Sequence, residues 1–192
     1  MVPVLAIALS LLMIASAQAA VILSEIDYDQ PGTDEMEWVE LHNPDAVPMS
    51  LVNLELVMIN SSTCTEYGNY DLDAITIPAG GYVVVGNYPC ADPSVTFPPT
   101  NAIQNGAPDG VFIRNRDTLL IVDEVEYEAA GGSVCLNNPT SAADSGALDN
   151  YSIQYCTGQG WIEGIFSPCA ENFECDPVSS KDSTWGTLKA QF

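Results

Sequence analysis

The sequence predicts an all-β sandwich, because its apolar residues recur at every second position and no segment before residue 129 carries a helical stripe. Alternation with a period of two marks strands that bury one face. Such segments follow one another as far as residue 128 and are separated by turn signals such as Pro78-Ala79-Gly80-Gly81. Several short alternating strands with frequent turns are typical of a β-sandwich.

Three strands are predicted in the first third of the chain, over residues 21–28, 38–42 and 51–59. The residues between their apolar positions, including Glu25 and Glu40, fall on the opposite face. The alternation predicts the following inward-facing side chains: Ile22, Ile26, Tyr28, Val39, Leu41, Val52, Leu54, Leu56 and Met58.

The later strands are shorter, and one pair reads as a hairpin around the polar turn Asn115-Arg116-Asp117. The predicted segments are 74–77, 82–85, 110–114, 118–122 and 123–128. After residue 131 the alternation dissolves, apart from Tyr151–Tyr155, and Asn, Gly, Ser and Pro surround four of the six cysteines. We therefore expect a disulfide-rich, loop-dominated C-terminal segment.

The N-terminus is predicted to be a signal peptide over residues 1–19. Val4–Ile14 is an uncharged apolar core, and Ala17-Gln18-Ala19 places small residues where a signal peptidase cleaves. The run is shorter than the ~20 residues that span a bilayer, although it could instead form a buried strand or helix. We expect a secreted or extracytoplasmic protein, in the periplasm or at the cell surface, with no membrane insertion of the mature chain.

Six cysteines agree with export, because an even number in an exported chain favours disulfides over free thiols. Without a CxxC pair and with a single histidine, the chain has little from which to build a zinc site. Six cysteines allow fifteen pairings, so the sequence leaves the connectivity open. The simplest scheme joins neighbours along the chain: Cys64 with Cys90, Cys135 with Cys156, and Cys169 with Cys175.

The formal net charge of −22 excludes one class of partner. Nucleic-acid binding depends largely on Lys and Arg, and the chain has four of these against 26 acids. The same charge disfavours docking on anionic lipid. It suits solubility, a salty exterior or divalent cations.

Several segments, in order, resemble the lamin tail domain as it occurs in exported bacterial proteins. The pattern is an apolar strand ending in Glu25, an acidic turn, the strand Glu37-Trp38-Val39-Glu40-Leu41, Asn43, and a Leu-rich strand. It continues with TIPAGGYVVVGN and ends with APDGVFIRNRDTLLIVDEVEYE. The similarity covers Val21–Glu128 and leaves the cysteine-rich remainder unexplained.

The resemblance implies an immunoglobulin-like β-sandwich and no enzyme activity. It also implies structural hydrogen bonds for Glu25, Glu37 and Glu40, which occupy family positions within or beside strands. The predicted organisation is a signal peptide over 1–19, a lamin-tail-like sandwich over 20–130, and a Cys-rich extension over 131–192 that can contribute a last strand.

The most acidic stretch, Ser24–Pro44, holds seven acids and no Lys or Arg. It does not match a helix-loop-helix calcium loop, since Pro31 and Trp38 fall at positions 5 and 12 of a loop begun at Asp27. An irregular site stays open, because Ca²⁺ accepts six to eight oxygens in loose geometry. The alternative is a solvated turn. The candidate ligands are Asp27, Asp29, Asp34 and Glu35.

No sequence motif indicates catalysis. With 26 acids, some carboxylate pair falls at hydrolase spacing by chance. The only histidine, His42, has no serine in a GxSxG elbow to activate. Trp38, Trp161 and Trp185 could stack on sugars, although packing is the commoner role.

Two functions follow from these observations. The preferred hypothesis is a non-catalytic exported module for surface interaction or structural support, with an unidentified protein or cell-surface ligand and no cofactor except a stabilising Ca²⁺. The alternative is a small secreted carboxylate-dependent hydrolase. Sequons at Asn60 and Asn150 matter only in a host that glycosylates exported proteins.

Overall fold

The computed structural model describes residues 20–132, 134–146, 150–172 and 175. Within these ranges no helix is long and apolar enough to cross a membrane. The described strands are β1 (Ile22–Asp27), β2 (Trp38–His42), β3 (Met49–Ser50), β4 (Leu54–Asn60), β5 (Thr65–Asp71), β6 (Thr76–Ile77), β7 (Tyr82–Gly86), β8 (Asp109–Asn115), β9 (Ile121–Tyr127), β10 (Tyr151–Cys156) and β11 (Gly160–Ile165).

The strands form two main antiparallel sheets. Sheet 1 has the order β11-β10-β1-β2-β7, and sheet 2 has the order β5-β4-β8-β9. Strands β3 and β6 form a separate two-stranded antiparallel sheet. The predicted all-β fold is confirmed.

The core lies between the two sheets, as the alternation predicts. Val39 and Leu41 from sheet 1 and Leu56 and Met58 from sheet 2 are fully buried in one apolar cluster. The stacked rings of Tyr28 and Tyr127, with centroids 4.4 Å apart, add an aromatic contact within this cluster. Burying each large apolar side chain stabilises the fold by roughly 1.5–3 kcal/mol.

Strand β1 departs from the predicted alternation at one residue. Leu23 and Glu25 pair with successive residues of β2, so Ser24 has no partner of its own there. Such a β-bulge reverses the facing of the residues that precede it. Leu23 is therefore in the core, whereas Ile22, predicted to face inward, is half-buried beside a cavity outside the core.

Three other apolar residues predicted to lie in strands are instead exposed in turns. Val52 precedes β4 in a turn and is 56% exposed. Leu119 and Leu120, predicted to begin a strand, belong to the β8–β9 connection and are 66% and 68% exposed. Leu119 adopts the left-handed conformation, with φ of 58°, which ends regular pairing there.

The segment after residue 131 is integrated into the sandwich. Strand β10 pairs with β1, and Ile153 enters the core. On the outer face of sheet 2, Leu136 packs against Val57, Ile59 and Phe112. Ladder hydrogen bonds and apolar packing therefore hold this segment in addition to its disulfides.

All six cysteines are paired, so the predicted disulfide bonding is confirmed. The nearest-neighbour pairing is wrong: the bonds are Cys64–Cys135, Cys90–Cys169 and Cys156–Cys175. The pairing follows spatial proximity rather than chain order. The pairing of β10 with β1 brings the C-terminal segment beside sheet 1, and the packing of Leu136 and Cys135 on sheet 2 brings Cys135 close to Cys64. Two of the three bonds join residues 20–130 to the C-terminal segment, across 71 and 79 residues.

Candidate functional site

The acidic segment, Ser24–Pro44, places two glutamates next to each other on the outer face of sheet 1. Glu25 on β1 pairs with Glu40 on β2, and both are fully buried. They are covered by residues 166–172, which we call the C-terminal strap. The sequence alone gives no reason to expect a cover on this polar face.

The two glutamates hold the strap. Glu25 accepts hydrogen bonds from Ser167 N at 2.9 Å and from Ser152 Oγ at 2.5 Å. Glu40 accepts from Cys169 N at 2.6 Å and from the Ser24 hydroxyl. The structural role that the resemblance implies for these two residues is confirmed.

Burial raises the pKa of both glutamates. Desolvation is the main cause for Glu40, whose pKa is raised to about 8, and the neighbouring charge of Glu25 adds to it. The pKa of Glu25 is also raised by burial, although hydrogen bonds from Ser152 and Ser167 oppose the shift. Two like charges side by side in a buried site favour a proton on one of them.

Both carboxylate oxygens of Asp27, at the end of β1, also accept hydrogen bonds from other side chains. Its Oδ1 accepts from Gln30 Nε2 at 2.5 Å, and its Oδ2 accepts from the Trp38 indole at 3.1 Å. Burial raises the pKa of Asp27 to about 8, and the charge of Asp144 adds to the shift.

Glu37 forms hydrogen bonds with the backbone of the connection between β7 and β8. Its carboxylate accepts from the backbone N–H groups of Ala102 and Ile103 at 2.5 and 2.8 Å. Burial raises its pKa to about 7. This confirms the implied structural role of the third family glutamate.

In the loop after β1, two of the remaining candidate ligands lie close together and the third, Glu35, lies apart from them. Asp29 and Asp34 converge on Asn105, whose Nδ2 lies 3.4 Å from Asp29 Oδ1 and 3.2 Å from Asp34 Oδ2. Glu35 is exposed and lines a different recess, with Pro31. Among the described residues, no three His, Cys, Asp or Glu side chains are grouped closely enough to hold a metal ion.

Sequence reasoning missed Asp144 and Asn105, which lie beside the loop. Asp144 Oδ2 accepts from the backbone N–H groups of Tyr28 and Asp29 at 3.2 and 3.4 Å. The Asp29 carboxyl group packs over Gly146, where a Cβ would lie 2.6 Å from it. For Asn105, the turn dipeptide Asn105-Gly106 is a sequence signal that indicates a loop position. For Asp144 the sequence offers no such signal, because it lies in a stretch without strand periodicity.

The other candidate residues have packing roles. His42 stacks on Tyr82, with centroids 4.2 Å apart, beside a cavity of about 210 Å³, and burial lowers its pKa. Trp38 is fully buried against Phe166 and Tyr88. Trp161 packs partly buried against the core. Trp185 and the predicted signal peptide lie outside the described residues.

The two sequons differ in accessibility. Asn60 donates its Nδ2 to Gln104 Oε1 at 2.7 Å and is half-buried, whereas Asn150 is exposed. The hydroxyl group of Ser152, the third residue of the second sequon, is buried against Glu25.

Comparison with known proteins agrees with this architecture. A family model described as Lamin Tail Domain matches residues 14–129, which include strands β1 to β9. A search of curated protein sequences finds no match. The family match spans more than half of the 192 residues. The chain therefore belongs to the lamin tail domain family.

Proposed function

We propose that this protein is a non-catalytic, exported module for surface interaction or structural support, stabilised by Ca²⁺. The observation that carries the proposal is the use of the strand carboxylates. Glu25, Glu37 and Glu40 all accept hydrogen bonds from backbone N–H groups of other segments. Membership of a non-enzymatic immunoglobulin-like family supports the same conclusion.

A carboxylate-dependent hydrolase needs two acids that face the substrate. Glu25 and Glu40 are adjacent, but both are fully buried beneath the C-terminal strap. Substrate could reach them only if the strap left the sheet. That movement would break the strap's hydrogen bonds to the glutamates and is restrained by the Cys90–Cys169 disulfide. This arrangement favours the non-catalytic function.

The three disulfides support export, because such bonds persist in oxidising compartments. We expect exported material to begin near Ala20 and to have no thiol that reacts without denaturant. N-terminal sequencing and maleimide labelling of the secreted fraction measure both properties. Labelling of two or more cysteines per native chain, or an intact Met1, would contradict the export proposal.

The proposed interaction surface is the β8–β9 connection, where the apolar residues Leu119 and Leu120 are more than 60% exposed and adjoin Ile121. Exposed apolar side chains that are contiguous mark interaction sites more often than isolated ones. The net charge of −22 argues against nucleic acid and anionic lipid. The proposed partner is a protein or another cell-surface ligand that accepts an apolar contact.

The double substitution Leu119→Asp/Leu120→Asp is expected to abolish saturable binding to the surface of the producing cells while leaving the melting temperature within a few degrees. Exposed positions usually change stability by no more than about 0.5 kcal/mol each. Labelled mature protein on cells lacking the gene provides the measurement, with unlabelled protein as competitor. Val47→Asp, at a 54% exposed position in another loop, is the matched control and should bind normally. Unchanged binding by the double variant would overturn the assignment of this surface.

A further inference from the structure

A cavity of about 290 Å³ lies between the turn that joins β4 to β5 and the connection from β7 to β8. Of the nine described residues that line it, four are Asn or Gln, one is acidic and none is basic. Each carboxamide group carries both hydrogen-bond donors and a hydrogen-bond acceptor. The polar lining residues are Asn60, Ser62, Asn101, Gln104, Asn105 and Asp109.

The wall formed by the β7–β8 connection is held by buried and half-buried side chains of the sandwich. Gln104 N donates to the Tyr67 hydroxyl at 2.9 Å, and the Tyr127 hydroxyl donates to Gln104 O at 2.8 Å. The Glu37 carboxylate fixes the backbone of the two preceding residues. The cavity is therefore preformed, which lowers the entropic cost of binding a ligand.

The opposite wall, the β4–β5 turn, is also fixed. The Cys64–Cys135 disulfide ties its end to the C-terminal segment. Asn60 Nδ2 donates to Gln104 Oε1 at 2.7 Å and so joins the two walls. This bond uses the oxygen of the Gln104 carboxamide group, whereas the Gln104 Nε2 donors have no partner among the described residues.

An acid in the lining of the cavity has an unpaired oxygen. Asp109 is 1% exposed, and its Oδ1 is buried without a hydrogen-bond partner among the described residues. The carboxyl group accepts from the backbone N–H groups of Ser61 and Gly106. The hydroxyl group of Ser61 is likewise buried and unpartnered. Buried polar atoms without partners are rare in folded proteins and indicate an additional group.

The lining selects against charged ligands. An anion would meet a net charge of −22 and no basic side chain in the lining. A metal ion is disfavoured, since no three His, Cys, Asp or Glu side chains are grouped among the described residues. Burial raises the pKa of Asp109 to about 7, so this acid offers an ammonium group only part of a charge at neutral pH. A neutral ligand fits best.

We propose that this cavity binds one sugar residue of a neutral saccharide. Hydroxyl groups both donate and accept hydrogen bonds, as the carboxamide groups of the lining do. Ile103 and Ala107, which also line the cavity, supply apolar contact for the C–H groups of the sugar ring. The volume is just below the ~300–1,000 Å³ of sites for drug-sized ligands, which suits a single ring. This site lies apart from the proposed interaction surface at Leu119–Ile121 and adds a second class of ligand.

The test is a titration of the isotope-labelled, oxidised mature protein, followed by NMR, with glucose, galactose, mannose and N-acetylglucosamine. At least one sugar is expected to shift the side-chain amide signals of Asn101, Gln104 and Asn105 saturably, with Kd of roughly 1 mM. Nα-acetyl-lysinamide at matched ionic strength is the cationic comparison. The proposal is overturned if no sugar gives a saturable shift, or if only the cationic probe does.

Gln104→Glu is the informative variant, because its carboxylate can still accept from Asn60 Nδ2 but lacks the Nε2 donors. It is expected to weaken sugar binding by about tenfold. Gln159→Glu makes the same change in the exposed β10–β11 turn and should bind normally. An unchanged Kd in Gln104→Glu would overturn the assignment of this cavity.

A second variant, Asn101→Gly, removes an exposed carboxamide group without straining the backbone. Asn101 has a φ of 50°, which glycine adopts readily. Its backbone spectrum should match that of the wild type, and its Kd should rise about fivefold. Wild-type affinity in Asn101→Gly would also contradict the assignment. Leu119→Asp/Leu120→Asp should keep sugar binding, so failure of the interaction surface and failure of the sugar site are distinguishable.

Discussion

Replacing Val39 by Asp is expected to leave the chain unfolded. Val39 is fully buried in sheet 1, paired with Ile26 on β1 and with Val85 on β7. An unpaired carboxylate there loses its hydration at a cost of several kcal/mol, and the burial of the valine, about 1.5–3 kcal/mol, is lost as well. A domain of this size has a total stability of ~5–15 kcal/mol. Far-UV circular dichroism and thermal melting should show no cooperative transition.

The control for this experiment is the same chemical change at Val52, which the alternation predicts to be buried and the structure exposes. Val52→Asp is expected to change the melting temperature by no more than about 2 °C, because substitutions at exposed positions are usually within ±0.5 kcal/mol. A cooperative melt for Val39→Asp close to that of the wild type would mean that the facing of β2 is wrong. Unfolding by Val52→Asp would mean that Val52 is buried and that its exposed position in the turn before β4 is wrong.

The folded state is expected to be most stable at mildly acidic pH and to lose stability as the pH rises from about 5 to about 8. Burial raises the pKa of Asp27 and Glu40 to about 8 and that of Glu37, Asp109 and Asp144 to about 7. A carboxyl group with a raised pKa in the folded chain binds its proton more tightly there than in the unfolded chain. The stabilisation of the folded state by this tighter proton binding is therefore complete below about pH 4.5. It is lost as the pH rises past the pKa that the carboxyl group has in the folded chain. For Glu40 alone the change is on the order of 4 kcal/mol.

Urea unfolding at a series of pH values, at constant ionic strength, measures this dependence. Glu40→Gln should flatten it, because glutamine can accept from Cys169 N and donate to the Ser24 hydroxyl as the protonated glutamate would. Glu35→Gln removes one charge from an exposed position and should keep the wild-type slope. A stability that rises between pH 5 and pH 8 would contradict the prediction, as would an unchanged slope in Glu40→Gln.

The positions of most strands could be predicted because local periodicity reports a one-sided environment directly. Val39, Leu41, Leu56 and Met58 face the core as expected. The alternation misled at Ile22, because a single bulged residue reverses the phase, and bulges leave no signal in hydrophobicity. It also misled at Leu119 and Leu120, where apolar residues occupy an exposed turn.

The candidate site was predictable only in part. The density of acidic residues after β1 predicts Asp29 and Asp34 as candidate ligands. Their neighbour Asn105 could not be predicted, because it is more than 70 residues away in the chain. Asp144 lies farther still, in a segment without strand periodicity. A site assembled from three loops depends on which loops share one end of the sandwich, and that depends on strand order.

The sequence by itself determined the fold class, the lamin tail family and the pairing of every cysteine in some disulfide, because each depends on local pattern or on residue count. Only the tertiary structure decided which cysteines are bonded and which polar residues are buried. Glu25 and Glu40 alternate outward like surface residues, yet they are fully buried. The physical reason is that the C-terminal strap, more than 120 residues further along the chain, covers them with its N–H groups. Alternation along a strand specifies which face a side chain occupies, but what covers that face is set by distant segments.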